Sequence, residues 1–319
     1  MNMTAFVNRR TRWHRWHMNR MADSSSGHRS PGTRHRGRRT FRRIDIRHHD
    51  WIAACDCRTP CPTLRAELDN HYIRSPPNLH GVPAMSRVFE NQTFERFFED
   101  GCGAVYSDFV FRRCTFVNCA VSITRNPALR TTVRNVQIID CVRKRDPAGF
   151  PCAIVEDCLI ENLKIEELLQ TWGAAFKHVT LRGKIGPLML SNCLCPTSTT
   201  TDAMQRAFEE ANTAYYANVD WALDISKAEF TEDCDIRGIP ARLIRRDPDT
   251  QVVITRERAM RGEWRNLDLH QTYWRAGIEF MLERGDADVV LVAPKRAKDF
   301  EHLLRGLQLL REAGVAEPD

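Results

Sequence analysis

Between Phe89 and Lys184 a nine-residue phrase of apolar and polar positions returns five times: FENQTFERF from Phe89, FRRCTFVNC from Phe111, VRNVQIIDC from Val133, VEDCLIENL from Val155 and FKHVTLRGK from Phe176. The spacing between those starts is almost constant. Each copy carries apolar or small residues at its first, fourth, sixth and ninth positions. The first column holds Phe89, Phe111, Val133, Val155 and Phe176, and the sixth holds Phe94, Phe116, Ile138, Ile160 and Leu181. The fourth runs Gln92, Cys114, Val136, Cys158, Val179 and the ninth runs Phe97, Cys119, Cys141, Leu163, Lys184. The polar exceptions fall in the first and last copies, where a stack of repeats would end.

An amphipathic helix repeats its apolar positions at three and four residues, and a strand at two. Offsets of three, two and three fit neither alone, so the pattern predicts short strands joined by corners. A fixed period near twenty residues marks a solenoid whose coils cannot bury their apolar side alone and must stack. At the usual interstrand spacing of about 4.8 Å, each inward column becomes a ladder of like side chains. The residue before the ninth position runs Arg96, Asn118, Asp140, Asn162, Gly183. Asn, Asp and Gly tolerate the left-handed backbone of a corner, and stacked Asn can add hydrogen bonds along the ladder.

Within the copies the smaller unit is five residues long: CTFVN from Cys114 runs into CAVSI, CLIEN from Cys158 into LKIEE, and LDISK from Leu223 into AEFTE. A small or medium apolar residue, any residue, a bulky apolar residue and two polar ones resemble the pentapeptide-repeat family, whose members wind into right-handed, four-sided β-helices. The resemblance covers roughly residues 89 to 190 and 221 to 240. It implies a mainly β fold, a right-handed parallel β-helix whose coils match the period of the phrase. Family coils take four pentads, and the period here is slightly longer, which implies a bulge or loosened corner in each coil. Stretches such as Arg125 to Thr132 and Arg143 to Pro151 lack pentads.

Around this ladder the chain divides in order. Residues 1 to 50, rich in Arg, His, Ser and Gly without apolar periodicity, read as a disordered tail. Residues 51 to 88 read as an N-terminal capping segment, with TLRAELDNHY from Thr63 as a short helix able to lie over the first coil. Residues 89 to 240 read as the β-helix. It is interrupted by an amphipathic helix over 202 to 217, capped by Thr201 or Asp202, with Met204, Phe208, Ala211 and Tyr215 on one face. A sixth copy, TEDCDIRGI from Thr231, sets Cys234, Ile236 and Ile239 in register with Cys158, Ile160 and Leu163. Residues 241 to 319 read as a small α/β module that caps the last coil, because an open solenoid end exposes unpaired strand edges.

Charge changes the picture only at the N-terminus. The net charge of +6 contains +10 from residues 1 to 50, thirteen Arg against Asp23, Asp45 and Asp50, which leaves −4 for the rest of the chain. An Arg-rich arm of this kind, with Arg34, Arg36, Arg38, Arg39, Arg42 and Arg43 at its densest part, can neutralise phosphates of a nucleic acid. The twelve Cys fall largely in inward columns, where Cys acts as a small hydrophobe, and no secretory segment accompanies them. A reducing cytosol is the expected compartment. No apolar run approaches the ~18 residues of a membrane helix.

Candidate chemistry is sparse. CDCRTPC, with Cys55, Cys57 and Cys61 preceded by His49, offers a thiolate trio and an imidazole to zinc, though without the paired C-x2-C knuckles of common zinc sites. Cys193 and Cys195 could join the same metal. The outward second position runs Glu90, Arg112, Arg134, Glu156, Lys177, with Glu232 in the sixth copy. Opposite charges on neighbouring coils suit exposed salt bridges, and Arg112, Arg134, Glu156 and Lys177 form the candidate partner-binding face. The same face carries the rival reading, a carbohydrate-active lyase or hydrolase. Pro294, Lys295 and Arg296, between a strand and a helix, have the outline of an anion site, but a strand-to-helix connection with solvated charges is the preferred reading. The chain shows no GxxxxGK[ST], HExxH or GxSxG phrase. The sequence therefore predicts a non-catalytic scaffold for an unidentified protein partner, with zinc the one candidate cofactor.

Overall fold

A computed structural model of the chain describes residues 86–144, 151–195, 199–232 and 234–318. The Arg-rich tail, the segment before Ser86 and the proposed zinc ligands Cys55, Cys57, Cys61 and His49 lie outside the described residues.

The described chain is mainly β, with parallel sheets and few helices. The first sheet takes Arg87–Glu90, Phe109–Arg112, Gln137–Ile139, Leu159–Glu161, Val179–Ile185, Leu223–Phe230 and Ile244–Arg245 in that spatial order. The second takes Thr93–Glu95, Thr115–Val117, Val142–Lys144 and Lys164–Ile165, and the fourth takes Val105–Ser107, Thr132–Arg134, Ile154–Glu156 and Ala175–Lys177. The third begins with Leu169–Trp172, Leu188–Ser191 and Cys234–Ile236. Pairing among all these strands is parallel. The chain visits the first, second and fourth sheets in recurring order, so partners on a sheet come from successive repeats.

Register corrects the equal spacing of the copies. Phe89 lies over Phe111, but Phe111 lies over Ile138 and not over Val133, and Ile138 lies over Ile160, which lies over Leu181. Val133 belongs to another column, with Tyr106, Val155 and Phe176 on the fourth sheet. The copies from Phe89 and Phe111 therefore sit one strand away from the alignment that their even spacing suggests. The step from Phe111 to Ile138 is five positions longer than the step from Phe89 to Phe111, and the excess falls around the 3-10 turn Pro127–Leu129. That longer repeat less one pentad equals the ordinary period, which disguised the shift. The sixth copy is displaced as well. Ile236 pairs with Leu190 on the third sheet, not with the column of Ile160.

The corner prediction holds at every expected position: Arg96, Asn118, Asp140, Asn162 and Gly183 all have positive φ, between 51° and 66°. A second corner row at the third position of each copy, Asn91, Arg113, Asn135, Asp157 and His178, is left-handed too, at 51° to 55°. Arginine has no intrinsic preference for this region, whereas asparagine, aspartate and histidine are enriched there among non-glycine residues. Backbone pairing across repeats offsets the strain: Arg96 N–H donates to Val117 O and Arg113 N–H to Ile139 O, both at 3.0 Å.

The inward columns make one hydrophobic core from Phe89 to Val292. Phe89 stacks on Phe111 with ring centroids 5.1 Å apart, and Phe94 on Phe116 at 5.5 Å. Cys114, Cys141 and Cys158 are buried, as expected of small hydrophobes, while Cys119 is half-buried. The second-sheet column runs Phe94, Phe116, Arg143, Ile165, so a buried arginine interrupts the aromatic run.

Among the described residues four α-helices follow or interrupt the sheets: α1 (Asp202–Tyr216), α2 (Arg256–Arg261), α3 (Trp274–Arg284) and α4 (Phe300–Glu312). Thr201 caps α1 by accepting from the Met204 N–H at 3.2 Å. Beyond Pro240 the chain returns to the third sheet. Asp288–Val292 pairs antiparallel with Cys234–Ile236 on one side and with Gln251–Thr255 on the other. The C-terminal segment thus extends a parallel sheet edgewise and covers what would otherwise be an open strand. It packs helices α2 to α4 around a second core containing Trp264, Trp274, Ile278 and Leu307, all fully buried. Among the described residues no helix is long and apolar enough to cross a membrane.

Candidate functional site

The fourth sheet brings three of the four predicted face residues into one outward row. Ser107, Arg134, Glu156 and Lys177 are aligned across consecutive strands. Each follows the inward residue of its strand, and alternation along a strand turns it to the opposite face. Arg112 is not among them. It lies on the first sheet between Glu90 and Ile139, because of the five-residue shift described above. Glu232, in the displaced sixth copy, precedes Cys234–Ile236 of the third sheet.

Arg134 Nε donates to Glu156 Oε2 at 2.8 Å, and the Tyr215 hydroxyl donates to Glu156 Oε1 at 2.9 Å. Tyr215 comes from the last turn of α1, whose next residue, Tyr216, accepts at its hydroxyl from the Phe176 N–H. Burial and the bond to Glu156 push the Tyr215 phenol well above its ordinary pKa, so it serves as a hydrogen-bond donor at neutral pH. Nothing in the repeat pattern announced Tyr215. The amphipathic reading of α1 placed it on the packed face but could not say against which strand.

Beside this row runs the corner row Asp108, Asn135, Asp157, His178. Asn135 donates to Asp108 at 2.6 Å. His178 bridges two acids: Nδ1 lies 3.0 Å from Asp157 Oδ1 and Nε2 2.6 Å from Asp220 Oδ1. The bond to Asp220, and then that to Asp157, raises the His178 pKa against the opposing effect of burial. Its ring lies 4.8 Å from that of Trp221, and Arg245 covers Trp221 at 4.1 Å. Imidazole, indole and guanidinium therefore close the row where the chain returns from α1.

Charges elsewhere on the outer surface pair between neighbouring strands or corners in the same way. Arg113 meets Glu90, Arg182 meets Glu161 at 2.7 Å, and Lys144 meets Glu166 at 3.5 Å. In the stretch from Pro294, Lys295 Nζ lies 2.8 Å from Asp247 and Arg296 3.5 Å from Glu229. Burial opposes the Asp247 carboxylate, but Lys295 and Thr250 hold its pKa below the ordinary value. The charges of this strand-to-helix connection are thus held in surface ion pairs, in keeping with the reading of solvated charges preferred over an anion site. Cys193 is buried and Cys195 exposed. Among the described residues no group of three or more His, Cys, Asp or Glu side chains is placed to hold a metal ion.

No family model, curated protein or solved structure matches the chain.

Proposed function

We propose that this chain is a right-handed β-helix of the pentapeptide-repeat kind, with the C-terminal α/β segment as its cap, and that it acts as a non-catalytic scaffold for a protein partner. The recurring visits to the first, second and fourth sheets, and the two rows of left-handed corners, support a coil. The observation that carries the scaffold reading is the outward row on the fourth sheet. Arg134, Glu156 and Tyr215 satisfy one another and hold a patterned, rigid surface in place. Preorganised side chains lower the ordering cost of binding, which suits recognition of another folded protein. The thiols of Cys114, Cys141 and Cys158, buried in the inward columns outside any disulfide, fit a reducing compartment such as the cytosol.

The test is affinity capture followed by binding measurements with the purified partner, comparing the intact chain with Arg134→Glu and Lys177→Glu. A partner retained by the intact chain and lost by both variants supports the reading. Capture unaffected by either change, or a clean negative, overturns it. Depolymerisation of an acidic polysaccharide, abolished in Arg134→Ala, would replace the scaffold with a carbohydrate-active enzyme. Nucleic-acid affinity abolished by removal of residues 1 to 50 would assign binding to the Arg-rich arm.

A further inference from the structure

Arg130 stands where the 3-10 turn Pro127–Leu129 meets the fourth sheet, and it is 6% exposed. Its Nη1 donates to Asn212 Oδ1 of α1 at 2.8 Å, and its Nη2 to the Gly173 carbonyl at 2.9 Å. The guanidinium carbon sits 4.5 Å from the ring centroid of Phe208, also from α1. Two donors in this arrangement have no acceptor: Arg130 Nε and Asn212 Nδ2, the latter on a residue 3% exposed.

The sign of the charge matters as much as the unmet donors. Among the described residues no carboxylate lies within ion-pair distance of Arg130. The groups that act on its charge are the Cys152 thiol and the phenols of Tyr216 and Tyr215. These are neutral near pH 7. Burial pushes Cys152 up to about 12, and it raises both phenols as well. Burial also lowers the Arg130 pKa, yet a guanidinium keeps its proton at any ordinary pH. A buried cation with neutral neighbours and an unmet N–H calls for a counter-charge.

We propose that Arg130 forms, where α1 meets the sheets, an occluded binding site for a small monovalent anion, a halide or a short carboxylate. The anion accepts from Arg130 Nε–H, on the edge of the guanidinium that Asn212 leaves open by accepting from Nη1. Burial limits the size: Arg130 is 6% exposed and Asn212 3%, so only a small anion fits beneath α1. Because Asn212 and Phe208 belong to α1 while Arg130 and Gly173 belong to the sheet side, an anion here pins the helix to the sheets. Its binding free energy adds to the stability of the folded chain.

The experiment measures thermal unfolding of the full chain in sodium bromide, sodium acetate and sodium gluconate at equal ionic strength. Gluconate serves as the anion too large to enter. A midpoint that rises saturably with bromide or acetate, but not with gluconate, is expected, and the two arms separate a halide from a carboxylate site. Arg130→Gln should abolish the rise. Should that variant fail to fold, Asn212→Asp decides, because a carboxylate at this position supplies the counter-charge from within. It should be independent of halide and at least as stable in gluconate as the unaltered chain. Crystals grown in bromide should show anomalous scattering within hydrogen-bond distance of Arg130 Nε. An ordered water without anomalous signal overturns the proposal. So does an adventitious ion only, meaning a bromide peak while Asn212→Asp and the unaltered chain respond to halide alike.

Discussion

The Tyr215 hydroxyl donates a 2.9 Å hydrogen bond to Oε1 of Glu156, a residue 59 positions earlier in the chain, whose Oε2 accepts from Arg134. One carboxylate therefore joins α1 to two strands of the fourth sheet. The Glu156 side chain is 14% exposed against 52% for Arg134, so the two bonds differ in worth. Tyr215→Phe should destabilise the chain by about 1.5–3 kcal/mol, the usual contribution of a hydrogen bond to a charged group. Arg134→Ala should cost less than about 1 kcal/mol, as for other exposed pairs. Urea denaturation of the two variants and their double mutant measures both, and an Arg134→Ala cost above that of Tyr215→Phe would contradict the burial argument.

Side chains in the ladder should differ in cost according to column. Phe176 is 7% exposed and packed in the main core, so Phe176→Ala should destabilise by about 3–5 kcal/mol. Phe116 is only half-buried and faces Arg143 on the next strand. Phe116→Ala should therefore cost clearly less, although both belong to wholly apolar columns of the sequence pattern. Equal losses in a chemical denaturation series would mean that the Arg143 position does not loosen its column.

These differences mark where the pattern was legible. The apolar offsets of three, two and three carried the short parallel strands. The polar residues before the ninth position carried a row of corners, because Asn, Asp and Gly advertise a left-handed backbone. The second row was silent at Arg113, whose conformation comes from pairing across repeats and not from its own preference. The displacement of Arg112 from Arg134 was hidden by arithmetic, since a longer repeat less one pentad equals the ordinary period. Tyr215 meets Glu156, and Asn212 meets Arg130, through tertiary packing of α1, and no short-range spacing records which strand a helix will meet.

Gly183 tests the corner ladder itself. Its φ is +66°, and a Cβ built there would lie 2.2 Å from Asn162 Oδ1, the atom that accepts from the Lys184 N–H at 3.0 Å. Gly183→Ala must strain the backbone and push aside that carbonyl, at a cost of about 2–3 kcal/mol, from left-handed strain and a lost hydrogen bond together. Asn162→Ala removes the obstacle as well as the acceptor. In the Asn162→Ala background, Gly183→Ala should retain only the backbone part, so the double-mutant cycle should show coupling. Strict additivity would rule out the contact.

Cysteine reactivity should follow the columns. Cys141 and Cys158 are buried, and burial pushes their thiols up to about 11. Cys102 and Cys195 are exposed. The thiolate is the species that alkylates, so site-resolved mass spectrometry after brief iodoacetamide treatment at pH 8 should find Cys102 and Cys195 modified. Cys114, Cys141 and Cys158 should react only in denaturant. Early labelling of Cys141 in the folded chain would place it outside the core.

The pH dependence of stability should carry the mark of His178. Its pKa is raised above the ordinary 6.5 chiefly by the bond to Asp220, with Asp157 adding to it. A base whose folded pKa exceeds its unfolded one binds its proton more tightly in the folded state. The stabilisation is therefore fully present below the unfolded value near 6.5 and is lost as pH rises through the higher folded value. His178→Gln removes the charge while keeping a side chain that can hydrogen-bond. The difference in urea midpoint between the unaltered chain and this variant should be largest at about pH 5.5–6, where the acids remain ionised, and should shrink as pH rises. The exposed Asp220 carboxylate limits the size of the effect, since solvent screens it. Its direction is nonetheless fixed by the geometry, because both ring nitrogens face a carboxylate oxygen and only the doubly protonated ring can donate to both. A difference that grows with pH would mean that His178 is neutral in the folded chain and that the corner row ends at Asp157.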